Sequence, residues 1–263
     1  TLDSQTKGGS IVRNYMTENY IEDNPDKYVI SQQDIYASGQ EVLYLFSATE
    51  SELAERIDAN PNLIRNFFNQ KERERKVRAL YINNERTGVN NKMLEEHDYY
   101  LRIPNGYRLE ANEPNFVWYR SPGQVDKNLF VYQTVYKNDE IFENANLIGL
   151  RNEVAGSNIY EDPQDASSYV TTDTINVKPY FRSFKFNGKF TKETRGIWKS
   201  NNLSMGGPFL SYTFVDEERN ILYYVEGFVI APGQNKREPM RELEAIISTF
   251  MTESEYMRVQ SAG

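Results

Sequence analysis

The chain has 263 residues, no cysteine, one histidine (His97) and a formal charge of −8, from 30 Lys and Arg against 38 Asp and Glu. That length builds its own core, so no disulfide or metal staple is needed. The missing thiols exclude zinc-thiolate sites, iron–sulfur clusters and cysteine nucleophiles, and an acidic chain without a basic block is a poor partner for nucleic acid. No apolar run approaches the length of a bilayer-spanning helix. Tyr (19) and Phe (14) are abundant and Trp (2) is rare, which favours half-buried strand faces.

Along the chain, the first ten residues read as a polar lead-in, residues 11–21 as a strand and residues 22–40 as loop. The apolar, β-branched run EVLYLFSA (41–48) predicts a strand. Thr49-Glu50-Ser51-Glu52 has the capping-box pattern and predicts a helix start. Asn60-Pro61 punctuates, and a second helix is expected over about 61–82, with Leu63, Ile64, Phe67 and Phe68 on one apolar face. Its stretch KERERKVR (71–78) mixes signs and reads as a solvated face with a Glu74–Arg78 pair. Residues 83–97 are polar and Asn-rich and read as a linker, with His97 at the surface.

A strand-dense region follows: YYLRIP (99–104) into a Pro104-Asn105-Gly106 turn, FVWYR (116–120) and LFVYQTVY (129–136). Residues 139–155 predict a helix, and 156–178 a long polar loop of the kind that rims a site. Asn187-Gly188 between two strand patterns is a strong hairpin signal. GPFLSYTFV (207–215) and NILYYVEGFVIAP (220–232) predict a second hairpin across Asp216–Arg219. A last helix is expected at Pro239, with Met240, Leu243, Ile246, Ile247 and Phe250 forming its apolar stripe. Hairpin connections predominate, so the expected class is α+β with mainly antiparallel sheets and packed helices. Two subdomains are expected, an N-terminal one over residues 1–90, which need not be complete, and a C-terminal one over 98–253.

Candidate chemistry concentrates in the second half. Glu193 and Arg195 are two apart on one strand face, suited to an ion pair or to a ligand. Trp198 follows, then Met205-Gly206-Gly207-Pro208, where glycine lets a strand or a ligand approach the backbone closely. Glu226 sits in an otherwise apolar strand and needs a partner; Arg195 and Arg120 are the candidates. Glu193 and Glu226 as a carboxylate pair would suit glycosidase-type chemistry. No P-loop, nucleophile elbow or calcium loop occurs. No metal, cofactor or catalytic residue is assigned, and Glu193, Arg195, Trp198, Met205, Gly206, Gly207, Pro208 and Glu226 stand as a ligand-binding set.

The fragments NFVWYR (115–120), LFVYQTVY (129–136), SSYVTTD (167–173), KETRGIWK (192–199), MGGPF (205–209), EGFVIAPGQNKR (226–237) and RELEAIISTF (241–250), in that order, resemble a domain-of-unknown-function family of lipoproteins from the Bacteroidetes group. The resemblance is clearest over 98–252 and thinner over 11–80. It implies a protein acylated at a lipobox cysteine and held in the cell envelope, facing periplasm or exterior. Its partners would be the membrane, through that anchor, and an envelope protein or glycan. Neither the signal peptide nor the lipobox cysteine that the resemblance implies is among these 263 residues. The resemblance brings no catalytic residue. The expected function is therefore a non-catalytic binding or assembly module; the alternative is an envelope hydrolase using Glu/Asp acid–base chemistry, with glycans as its candidate substrate.

Overall fold

The computed structural model describes residues 10, 27–82, 86–162 and 165–262. The chain divides into two compact units, residues 1–72 and 73–263, and the break falls inside one helix. The strand expected at 11–21 lies outside the described residues.

In the first unit, β1 (Val29–Gln33) pairs antiparallel with β2 (Glu41–Leu45), Val29 opposite Leu45. The second of these strands is where the apolar run placed it. The first lies inside the stretch read as loop: its VISQQ sequence is too polar to announce a strand, and it is held by pairing with β2. Asp34, at φ +58, and Gly39, at φ +76, are the left-handed residues of the connection. Helix α1 (Glu50–Ala59) starts at Thr49, whose hydroxyl accepts from the Glu52 amide. The Glu52 carboxylate turns to Arg56 instead, at 2.6 Å. Asn60 closes α1, and α2 (Leu63–Tyr81) begins three residues later, so Pro61 sits in the turn ahead of the helix.

The second unit is built on one large antiparallel sheet. Its strands are β4 (Arg108–Glu113), β5 (Phe116–Ser121), β6 (Asp126–Val135), β7 (Tyr160–Asp162), β8 (Asp165–Asp173), β9 (Tyr180–Phe186), β10 (Lys189–Ser200), β11 (Gly206–Asp216) and β12 (Ile221–Ile230). Their order is β4-β5-β6-β12-β11-β10-β8-β7, and β9 also pairs with β10. The long β10 is shared along one edge: residues 189–195 pair with β9 and residues 197–200 with β8. The protein is α+β.

The Asn187-Gly188 hairpin forms as expected, with φ of +49 and +82 at the two turn residues and Phe186 opposite Lys189. The β11–β12 hairpin forms too, Asp216 opposite Ile221. Two other expectations are overturned. The stretch read as a linker is helical over most of its described part: α3 (Thr87–His97) buries Asn90, Met93 and His97 along one side. His97 is 4% exposed and its Nε2 lies 2.6 Å from Asn112 Oδ1. A helix with so few apolar residues hides its inner face from a hydropathy reading. Residues 156–178 are not a loop either, since β7 and β8 occupy most of the stretch. β8 buries Ser168, Val170 and Thr172 in alternation, and its small hydroxyl residues carry the strand period without the usual hydrophobicity.

Each sheet face has its own core. One is covered by α3 and by α5 (Arg237–Ile247), with Tyr212, Phe214, Tyr223, Val225 and Val229 packed against Leu243, Ile246 and Phe250. The other carries Phe116, Phe130, Trp198, Phe209, Tyr224 and Phe228 beneath Val154 and Ala155 of α4 (Asn144–Asn158). The apolar stripe expected on the last helix is thus divided: α5 ends at Ile247, and Phe250 follows it as a core residue. Short β3 (Tyr99–Tyr100) pairs with β13 (Met251–Thr252), and only these two residues of the expected 99–104 strand are paired. A further helix, α6 (Glu253–Ser261), opens on a full capping box between Thr252 and Glu255.

Candidate functional site

The strand register separates the residues that the sequence grouped together. Along β10, Glu193 and Arg195 face α5, whereas Trp198 faces α4. Pro208, opposite Ile197, shares the α5 side. Gly207, opposite Trp198, lies on the α4 side with Glu226, and Met205 packs beside that core. Glu193 and Glu226 therefore stand on opposite faces of the sheet and meet no common cleft.

On the α4 side, Glu226 is wholly buried and its partner is Arg151, from the middle of α4. The expectation of Arg195 or Arg120 is corrected. Arg195 points to the other face, and Arg120 forks onto Asp126. The pair is bidentate, with Arg151 Nε 3.0 Å from Glu226 Oε2 and Nη2 2.8 Å from Oε1. Arg151 Nη1 donates to Thr172 at 3.0 Å, and Tyr224 donates to Glu226 Oε2 at 2.5 Å. The guanidinium lies 3.9 Å over the Phe209 ring. Burial raises the Glu226 carboxyl above its ordinary value, against the opposing pull of Arg151 and Tyr224. Both partners are buried, so the pair presents neither charge to solvent.

The glycines serve the same packing. The Trp198 indole donates to the Val229 carbonyl at 3.1 Å, across the place where a side chain at 207 would stand. A Cβ there would fall 2.1 Å from that carbonyl oxygen. A Cβ at Gly227 would fall 2.8 Å from Leu243, so this glycine lets α5 rest on the sheet. A Cβ at Gly206 would fall 3.0 Å from the Trp198 carbonyl oxygen.

On the α5 side, Glu193 is buried between two arginines, Arg182 and Arg195, each at 2.6 Å. Arg195 also meets Glu244 of α5 at 3.0 Å. Burial works against the Arg195 charge, but Glu244 and Glu193 together hold it charged beyond the ordinary range of an arginine. Both arginines stay about one third exposed, so this network reaches the surface where the other does not.

A concave, open feature lies elsewhere, at the end of the sheet near the β11–β12 turn. It is a depression of about 370 Å³ lined by Tyr136, Asp139, Phe142, Phe190, Val215 and Glu217. Its parts are well anchored. Tyr136 bonds through its backbone to Asn220 of the turn, N to O at 2.9 Å. Asp139 and Phe142 belong to a single 3-10 turn (Asp139–Phe142), capped by the Asn138 side chain on the Glu140 amide. The Phe142 and Phe190 rings meet edge to face at 5.1 Å. The Tyr136 hydroxyl donates to Asp139. Sequence reasoning missed this place. No alternation marks it: Phe190 is in phase with the buried Trp198 along β10, yet it is 53% exposed.

Among the described residues, no group of three His, Asp or Glu side chains could hold a metal ion, and no helix is long and apolar enough to cross a membrane. No curated protein matches the chain in sequence. A Bacteroides thetaiotaomicron crystal structure aligns over 59% of this chain at 10% identity and TM-score 0.34, and the chain spans 45% of that protein. The yeast Ran-binding protein Mog1p aligns over 59% of this chain and 90% of its own length, at 8% identity and TM-score 0.36. Residues 9–81 match the domain of unknown function DUF8532. Residues 86–249, more than half of the chain and every strand of the large sheet, match the domain of unknown function DUF4837, and the chain belongs to that family.

Proposed function

We propose that the chain is a non-catalytic binding or assembly module, the globular part of a lipoprotein tethered in the cell envelope. One observation carries the binding half of this reading. The two carboxylates best placed by sequence for acid–base work, Glu193 and Glu226, are each neutralised by arginine on separate faces, while an aromatic depression with two carboxylates lies open. Pockets of this volume with a few polar groups are the usual form of a ligand site. The envelope half rests on the sequence resemblance to Bacteroidetes lipoproteins.

A photo-crosslinking residue at position 142 of the full-length protein, in its native envelope, tests this. The expected result is a discrete adduct that disappears with Phe190→Ala, in a protein that takes up a lipid label. Release of reducing ends or acyl groups from envelope glycans by the purified chain, abolished by Glu226→Gln in a variant that still folds, would replace this reading with the hydrolase.

A further inference from the structure

The walls of the depression are apolar and its charges are all of one sign. Phe142, Phe190 and Val215 form the apolar part, and Asp139 and Glu217 the charged part. The Tyr136 hydroxyl is already committed to Asp139. Neither Asp139 nor Glu217 has an ion-pair partner among the described residues, although most of the nearby cations do. Arg219, two residues from Glu217, reaches away to Asp98 at 2.7 Å and Glu253 at 2.6 Å. Arg258 pairs with Glu218 at 3.5 Å. Lys137 follows Tyr136 in the chain, and Lys192 lies one row further along the same sheet face; neither comes within ion-pair distance of the two carboxylates. Tyr136 reports the resulting field. Its hydroxyl is pushed above its ordinary value first by the bond to Asp139, with burial and the charges of Asp139 and Glu217 adding to it. One row inward on this face, the Thr213 hydroxyl is buried without a partner among the described residues, so a polar group waits behind the Phe190–Val215 wall.

An anion would be repelled here. A neutral apolar group would strip water from two carboxylates with nothing to compensate them. A cation on an apolar stem satisfies both requirements, because its charge pairs with the carboxylates while the stem covers the walls.

We infer that this depression binds an aliphatic cation, a primary ammonium or guanidinium group on an apolar stem like those of lysine and arginine side chains, with the stem on Phe142, Phe190 and Val215 and the charge between Asp139 and Glu217. The inference rests on the binding-module reading and names the ligand chemistry of its site. The same chemistry is offered by a basic side chain in a peptide and by a free polyamine.

The test is an NMR titration of the full chain, following the rings of Tyr136, Phe142 and Phe190. The probes are Nα-acetyl-lysine N-methylamide, spermidine and the neutral Nα-acetyl-norleucine N-methylamide. Saturable ring shifts with the two cations, and binding about tenfold weaker for the neutral probe, are expected. The double variant Asp139→Asn/Glu217→Gln, with an unchanged melt, should lose about the same factor. A lysine derivative that outcompetes spermidine identifies a peptide side chain as the source, and the reverse order identifies a polyamine. Equal binding of norleucine and lysine derivatives, unaffected by the double variant, would overturn the cation while leaving a binding module. Rings undisturbed by any probe would overturn the cation, and an unaltered crosslink in Phe190→Ala would then remove the binding reading as well.

Discussion

Glu226 and Glu193 look alike in sequence, each an acid in a strand of the same sheet, but the two faces treat them differently. Glu226 meets one arginine in a dry site, and both partners are at most 1% exposed. Glu193 meets two arginines that keep a third of their surface in water. The lesson is that the cost of losing an ion pair is set by what the stranded partner can do next. Arg151 has no path to solvent, whereas Arg182 and Arg195 do, and Arg195 retains Glu244.

The largest effect should follow from the dry side. Glu226→Ala leaves an uncompensated buried guanidinium, and denaturant melts should show a loss of about 3–5 kcal/mol. A loss below about 1 kcal/mol would mean that Arg151 finds water or another acceptor. Next comes the glycine under the indole. Gly207→Ala places a methyl group against the Val229 carbonyl and the Trp198 bond that crosses there, and should cost about 1–3 kcal/mol with a change in indole fluorescence. On the wetter side, Glu193→Ala should cost only about 1 kcal/mol, because the freed arginines rehydrate. An effect as large as that of Glu226→Ala would erase the distinction between the faces.

A smaller effect concerns pH. Asp173 at the end of β8 is held down at about 2, first by the Asn176 side chain, then by the Asn176 backbone amide, with Ile175 and Lys199 adding to the pull. A carboxyl lowered in the folded state binds its proton more weakly there than in the unfolded chain, whose aspartates titrate near pH 4. Its contribution is therefore present above about pH 4 and is lost as pH falls towards about 2. Asp173→Asn should flatten the stability profile in that window, and parallel profiles would contradict the assignment.

Local features were readable where the physics is local. The Asn187-Gly188 turn, the Thr49 cap and the β2 run each announce themselves within a few residues, because positive φ, an orphan amide and a buried apolar run are short-range demands. The Thr252-Glu255 capping box was equally legible, although α6 was not anticipated from it. The partner of Glu226 was not legible, since Arg151 lies 75 residues away on a helix whose docking no local period encodes. The same holds for the division of Glu193 and Glu226 between faces. Alternation places each side chain relative to its own strand, and only the pairing of β10, β11 and β12 relates the strands to one another. The aromatic depression draws residues from three separate stretches, 136–142, 190 and 215–217, which no single stretch of sequence displays.

The central claim is that the buried acid–arginine pair maintains the fold and that function lies at the open end of the sheet. The most direct measurement is equilibrium unfolding of Glu226→Leu, Arg151→Met and the double variant. If the pair is structural, each single change should cost about 3–5 kcal/mol and the double, with both charges replaced by apolar groups, should return to within about 1 kcal/mol of the wild type. Losses that simply add in the double variant would contradict the claim.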